Sequence, residues 1–311
     1  MAETELDVLV IGGGITGCGI ALDAASRGLT VGLVEKEDFA SGTSGRSSRL
    51  IHGGVRYLEQ KEFQLVHESL HERAILLTLA PHLVRPIRVY VPTPGRKTQA
   101  LFGAGLVIYD GLAWGRNIDR FHMSKPEEVA ELAPGLGEPT RSLRYNECQT
   151  DDARLTLEIA RTAARFGALI ANHAKVEALL GDGDVRGATV TDTTTDESFD
   201  VRAKVVVNAG GVWASQIQRM ASANAVNLAP SKGIHLVFRP GAVQTRTGLF
   251  IPSGQHDRRY IFVIPWEDRV YAGTTDTPYG GSIDEPTVDQ EARDYVVSLP
   301  PVMVNRPRGS S

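Results

Sequence analysis

The chain has 311 residues, a formal net charge of −4, 42% hydrophobic residues and 23% charged residues. That length admits one large or two ordinary domains, and the apolar content is enough for a proper core. The mild negative balance gives no reason to expect nucleic acid as a partner. Two cysteines, Cys18 and Cys148, provide neither a disulfide framework nor a metal-ligand set.

Val8 to Ile11 predicts a strand that runs straight into Gly12-x-Gly14-x-x-Gly17. The next segment reads as a helix with Ile15, Cys18, Leu22 and Ala25 on one face. A second apolar strand, Leu29 to Val34, ends at Glu35, 18 residues past Gly17. Strand, glycine turn, helix, strand and acid together form the unit that holds an adenine dinucleotide. Gly12 makes the tight turn, Gly14 lets backbone approach a pyrophosphate, and Gly17 lets helix and strand lie close. The helix amides face the phosphates, and Glu35 is placed to accept from a ribose 2′-hydroxyl and to repel a 2′-phosphate. Because Leu6 to Ile11 is already structural, no leader is expected ahead of it.

The segment from Lys36 to Tyr57 is rich in Ser, Thr and Gly. A long polar loop inside a compact domain is usually functional. Residues 61–79 read as an amphipathic helix with Phe63, Val66, Leu70, Ala74 and Leu77 on one face, ended by Pro81 and Pro86. Residues 87–91 alternate like a strand that stops at Pro92 and Pro94. Residues 99–115 are apolar but broken by Asp110, short of the ~20 residues a membrane span needs. A buried helix is the favoured reading there, and a membrane-surface contact is the alternative.

Thr150-Asp151-Asp152 predicts a helix start, with Ala153, Leu157, Ala160 and Ala164 as the apolar face. Residues 168–208 read as strands turning at Gly181–Asp184 and at Asp196-Glu197, ending in Lys204–Asn208, whose valines suit a strand buried on both faces. Asn208-Ala209-Gly210-Gly211 is a second glycine turn at a strand end. Ile234–Phe238, Tyr260–Pro265 and Arg269–Gly273 read as antiparallel strands of a separate sheet.

The expected fold class is α/β: a Rossmann-like, glutathione-reductase-type nucleotide domain beside a substrate domain of antiparallel sheet plus helices. The nucleotide domain is expected at 1–80 and 150–230, the substrate domain at 81–149 and 231–285, and a disordered or aberrant tail at 286–311. FAD is favoured over NAD because a polar loop, and not another βα unit, follows the acid-bearing strand. An extended flavin needs donors beyond the first turn. The residues expected to hold it are Gly12, Gly14, Ile15, Thr16, Gly17, Glu35, Lys36, Thr43, Ser44, Ser47, Ser48, Ala209 and Gly210.

The segment Ser47-Ser-Arg-Leu-Ile-His-Gly-Gly-Val-Arg-Tyr-Leu58 resembles the SSxLIHGGxRYL segment of FAD-dependent, quinone-linked glycerol-3-phosphate dehydrogenases, within the D-amino-acid-oxidase-like superfamily. Cys148–Leu155, Asn208–Trp213, Lys232–His235, Phe262–Trp266 and Gly273–Asp276 support the resemblance. It implies oxidation of sn-glycerol 3-phosphate to dihydroxyacetone phosphate, reduction of FAD and transfer of electrons to membrane quinone. Arg56 and Tyr57 match the substrate-side pair, and Lys232 lies in a second motif near the substrate. His235 and His52 are rival proton acceptors. Asp151 and Asp152 read as cap residues, and Asp276 as a turn stabiliser. The resemblance also implies a cytoplasmic location, peripheral attachment to the inner face of the membrane and, as an open possibility, a homodimer. Another oxidase of the superfamily is the alternative within the enzyme class.

The match ends before the tail. The GxRPL and GGKLTT-type segments of the family do not occur after Gly273–Asp276. Relative to the family the chain reads as C-terminally truncated, and a fragment without turnover is the second hypothesis. Loss of a strand from the nucleotide sheet is expected to leave apolar surface exposed.

Overall fold

The computed structural model describes residues 1, 4–93, 95–136, 141–221, 226–252 and 260–297. Pro94 and the tail residues 298–311 lie outside the described residues. In chain order, the first apolar run forms β1 (Leu6–Ile11), and the glycine turn leads into α1 (Ile15–Ser26) and β2 (Val31–Val34). The polar loop makes 3₁₀ turns at Thr43–Gly45 and Val55–Leu58 on either side of the short β3 (Leu50–Ile51). Then follow α2 (Phe63–Leu79), β4 (Arg85–Pro92), α3 (Arg96–Leu112), β5 (His122–Ser124), α4 (Pro126–Leu132) and β6 (Ser142–Gln149). Next come α5 (Asp152–Arg165), β7 (Leu169–Ala171), β8 (Ala174–Leu180), β9 (Gly187–Asp192), β10 (Ser198–Asn208) and α6 (Ala214–Ala221). The last elements are β11 (Ser231–Lys232), β12 (His235–Phe238), β13 (Gly248–Pro252), β14 (Tyr260–Trp266), β15 (Arg269–Gly273), β16 (Thr277–Pro278) and α7 (Gln290–Val297).

The chain divides into two units, Met1–Ser47 with Asp151–Pro230, and Ser48–Thr150 with Ser231–Ser311. The first unit is built on a six-stranded sheet in the order β7-β2-β1-β10-β9-β8. β7, β2, β1 and β10 run parallel, and the β8–β9 hairpin extends the sheet antiparallel. Ile11 pairs with both Val34 and Asn208, so the glycine turn, Glu35 and the Asn208 turn leave neighbouring strands at the same carboxyl end. In a doubly wound sheet that end is where ligands bind.

Helices α1 and α5 share a core in which Cys18, Ala21, Ala24 and Ala25 meet Ala160 and Ala163. The α5 face differs from expectation: Leu155, Thr156, Ala160 and Ala163 are buried, while Ala153, Leu157 and Ala164 are exposed. Small residues occur on both sides of this helix, so periodicity alone does not choose the buried one. Ile15 likewise is exposed at the helix start, and Val205 on β10 is 53% exposed, so that strand is not buried on both faces. Asp151 caps α5 by accepting from the Arg154 amide at 3.2 Å. Burial pushes the Cys18 and Cys148 thiols up to about 12, so neither is a nucleophile at neutral pH.

The second unit holds an eight-stranded sheet in the order β12-β15-β14-β13-β4-β6-β3, with β5 also on β6. All its pairings are antiparallel except β13 with β4. One core packs Val66 and Leu70 of α2 and Leu106 and Tyr109 of α3 against Val89, Val91, Leu143, Phe250, Phe262 and Ile264. Residues 48–80 therefore belong to this unit and not to the nucleotide domain where they were expected. Leu50 and Ile51 pair with Gln149 and Cys148, and α2 buries its apolar stripe in this core.

Two further segments differ from their expected form. Helix α3 buries Leu106 and Tyr109 but exposes Leu101 (74%), Val107 (58%) and Ile108 (46%), with Trp114 beyond it at 82%. It is not a fully buried helix. The expected disordered tail begins too early, because α7 packs Ala292 and Val296 against Ile234 and Val270. The architecture as a whole is the α/β one expected, a Rossmann-like unit and a unit of antiparallel sheet plus helices.

Candidate functional site

In the first unit the glycine turn has no room for side chains. Gly12 has φ +113°, and a Cβ there would lie 2.5 Å from the Ala209 carbonyl oxygen. A Cβ on Gly17 would overlap the Gly12 carbonyl oxygen. The ends of β1, α1 and β10 thus meet backbone to backbone, tied by the Ala209 amide donating to Ile11 O at 2.8 Å. The first-turn amides of a helix have no intrahelical acceptor. Here Gly14 at the N-cap brings no capping side chain, and no acidic residue occupies the first turn. The Ile15 amide donates to Ser44 Oγ at 2.9 Å, which brings the polar loop onto the helix end beside Thr16.

Glu35 is held by two amides. Gly13 N–H donates to Oε2 at 2.6 Å and Glu37 N–H to Oε1 at 2.9 Å. Each oxygen keeps a lone pair for a ribose hydroxyl. Lys36 Nζ stands 4.0 Å from the Trp213 ring centroid, a cation–π contact. Ser47 Oγ donates to Asp152 Oδ2 at 2.5 Å, so Asp152 anchors the loop from α5. Thr43 is exposed in its 3₁₀ turn. The Gly210 amide donates to Asn208 Oδ1 at 3.1 Å, which shapes the second turn.

The second unit carries the residues expected to meet substrate. Ser48 Oγ and His235 Nε2 are 2.7 Å apart, and burial lowers the His235 pKa below its ordinary value. His235 is therefore a neutral imidazole at pH 7. His52 is exposed, its ring 6.4 Å from Phe262 and 6.3 Å from Tyr57. Arg56 is exposed within the Val55–Leu58 turn and makes no ion pair among the described residues. Lys232 is only 11% exposed and is held by Asp289 Oδ2 at 2.5 Å and Thr287 O at 3.1 Å. No hydrogen bond or ring contact among the described residues links Lys232 to His52, Arg56, Tyr57 or His235. The structure thus joins Ser48 to His235 and His52 to Tyr57, and leaves Lys232 with acidic company of its own. Asp276 accepts from Ser231 Oγ, as suits a turn residue.

Among known proteins, the description FAD dependent oxidoreductase matches residues 7–299. The chain belongs to that family. This family member is 38% identical over 311 residues to alpha-glycerophosphate oxidase of Streptococcus pneumoniae, covering 96% of this chain and 51% of that protein. It is 41% identical over 291 residues to mitochondrial glycerol-3-phosphate dehydrogenase of Mus musculus, covering 88% of this chain and 40% of that protein. The glycerol-3-phosphate dehydrogenase of Bacillus halodurans, solved in complex with FAD, superposes with a TM-score of 0.78 at 37% identity, covering 96% of this chain and 53% of that one. The chain spans about half the length of the curated relatives it matches.

The residues of this FAD dependent oxidoreductase family member fit the flavin dinucleotide. The side-chain-free turn at Gly12 and Gly17, the start of α1 with no acidic residue in its first turn, and the doubly held Glu35 make a cradle whose chemistry suits pyrophosphate and ribose. Gly13, which orients Glu35, and Trp213, which receives Lys36, join this cradle without having been singled out by sequence. The Glu-bearing strand and the Trp after the second glycine turn were the available signals.

Proposed function

We propose that this chain carries the site for FAD-dependent oxidation of sn-glycerol 3-phosphate to dihydroxyacetone phosphate, with electrons passed on to quinone. The observation that carries the reading is Arg56, an exposed guanidinium with no counter-charge among the described residues, in the loop that also presents His52 and Tyr57. A planar fork of N–H donors matches two phosphate oxygens at once. The relatives named above support the same substrate. Bound FAD would supply the acceptor for the hydride leaving carbon 2.

The chain's own residues have three tasks. Arg56, with its chain neighbour Tyr57, binds and orients the phosphate. A neutral imidazole takes the proton of the carbon-2 hydroxyl. His52 is the proposed acceptor, since it is exposed while Nε2 of His235 is already engaged by Ser48. Gly12, Gly14, Ile15, Thr16, Gly17, Glu35, Lys36, Thr43, Ser44, Ser47, Ser48, Ala209 and Gly210 are proposed to hold the cofactor along its length.

The test is anaerobic reduction of a dye by the FAD-loaded protein, with glycerol 3-phosphate set against D-amino acids. Reduction by glycerol 3-phosphate alone is expected. No reduction by any of them would leave the second reading, a family fragment without turnover that binds FAD weakly or not at all, which the engagement of Lys232 by Asp289 favours.

Among the described residues no helix is long and apolar enough to cross a membrane. The exposed apolar face of α3, with Arg96 and Lys97 at its start, supports a peripheral contact with the bilayer, where quinone resides. Co-flotation with vesicles of mixed zwitterionic and anionic lipid is expected. Absence of flotation at low salt would overturn the contact.

A further inference from the structure

Beneath the His52–Tyr57 loop lies a polar cluster that the proposed chemistry does not use. Glu147 on β6 is fully buried, and Arg73 on α2 is 1% exposed. Arg73 Nη1 donates to Glu147 Oε2 at 2.7 Å and to Asn146 O at 2.8 Å. Tyr109 on α3 donates to Glu147 Oε1 at 2.8 Å. The Gly53 amide donates to Glu147 Oε2 at 3.0 Å. Burial, followed by the Glu147 charge, raises the Tyr109 pKa well above its ordinary value, so the phenol stays a donor.

We propose that Glu147, with Arg73 and Tyr109 holding it, is a positioning residue that fixes the Gly53 backbone and through it His52, Arg56 and Tyr57. This rests on the reading that the loop meets substrate.

A buried ion pair is weak evidence of a stabilising role, since an apolar replacement often serves stability as well. A bare bridge between α2 and β6 would also have no use for a loop amide. Here one carboxylate oxygen serves both the guanidinium and Gly53. The loop backbone rests so closely on the cluster that a Cβ at Gly53 would overlap Tyr109 Oη and the Leu70 side chain. The loop therefore has no slack at this point, and Gly54 follows in the left-handed region at φ +76°. Three elements far apart in sequence converge on a single peptide unit next to His52 and three residues before Arg56. Positioning to a fraction of an ångström is what a substrate-facing loop requires, as misplacement by about 1 Å can lower a rate by around a hundredfold.

The test compares Glu147→Gln and Tyr109→Phe with the unmodified protein, all FAD-loaded. Hydrogen exchange is read on the peptide spanning 52–58 and on that spanning 6–17. Both variants are expected to exchange about tenfold or more faster at 52–58, with 6–17 unchanged, as for loss of a hydrogen bond to a charged group. At equal flavin content, kcat/KM for glycerol 3-phosphate is expected to fall by about tenfold or more, with KM raised.

Unaltered exchange at 52–58 would overturn the inference, and so would faster exchange with unaltered kcat/KM. Acceleration spread evenly over the second unit in Tyr109→Phe, the milder variant, would mark a plain packing role and also overturn it. If the unmodified protein does not oxidise glycerol 3-phosphate, the proposed function falls. Exchange at 52–58 then decides the positioning of the loop on its own.

Discussion

Gly17→Ala is expected to remove FAD from the purified protein. The added Cβ overlaps the Gly12 carbonyl oxygen, lies 3.1 Å from the Gly12 carbonyl carbon and is 3.3 Å from Ala209 Cβ. These neighbours are backbone or the stub of a side chain, so none can swing away. Gly12 cannot yield either, because the Ala209 carbonyl oxygen occupies the space on its other side. Relief must come from moving the start of α1 off β1, which displaces the amides that would face the pyrophosphate.

Forced overpacking of this kind costs about 1–3 kcal/mol in stability. The loss of aligned amides adds to that in affinity, so FAD binding is expected to weaken by about a hundredfold or more. Flavin absorbance after purification and quenching of flavin fluorescence on titration measure the effect. A Gly17→Ala protein that retains FAD at unaltered affinity would remove the cradle from the account of this chain.

Arg56→Ala is expected to spare folding and flavin but to abolish useful turnover of glycerol 3-phosphate. The side chain is exposed and makes no ion pair among the described residues, so its removal should shift stability by no more than about 0.5 kcal/mol. Hydrogen bonds to a charged group are worth about 1.5–3 kcal/mol each, and a guanidinium fork makes two of them to a phosphate. The drop in kcat/KM is therefore on the order of a hundredfold or more. Arg56→Lys should recover only part of it, since an ammonium is a point charge without the planar fork. The contrast between glycerol 3-phosphate and glycerol is the sharpest readout: it should collapse in Arg56→Ala. A variant that keeps that contrast would show that another cation meets the phosphate, with Lys232 the first to examine once freed from Asp289.

The glycine turn was legible because Gly12 to Gly17 and Glu35 are close in sequence and the turn itself is written in glycine. Gly12, Gly14, Gly17 and Glu35 span two strands and one helix, and the spacing alone sets the turn. The Ser48–Leu58 segment was legible as a polar, motif-bearing loop, but the unit it belongs to was not. β3 is two residues long, and its pairing with β6 joins positions about a hundred residues apart. The face of α5 was misread because alanines line both of its sides.

Arg73 and Glu147 escaped notice for a different reason. Arg73 falls on the stripe of Val66 and Leu70, where a charge reads as a break in the pattern, and Glu147 sits in a strand otherwise suited to burial. Each makes sense only with its partner, 74 residues away. Lys232 is similar: its motif points to substrate, while its engagement by Asp289, 57 residues on, is invisible to any local pattern.

The convergence on Gly53 has a consequence for how the chain acquires its shape. Gly53 and Glu147 are 94 residues apart, and Tyr109 and Glu147 are separated by 38. Contacts that close such long loops bear the full entropy of closure before they return any stabilisation. The glycine turn of the first unit takes Gly12, Gly17 and Glu35 from one stretch of sequence, but its tie to Ala209 closes a loop of about two hundred residues. Maturation of this polypeptide should thus be staggered, with the local strand–turn–helix unit forming early and both the Ala209 tie and the Gly53 peptide locking among the last events.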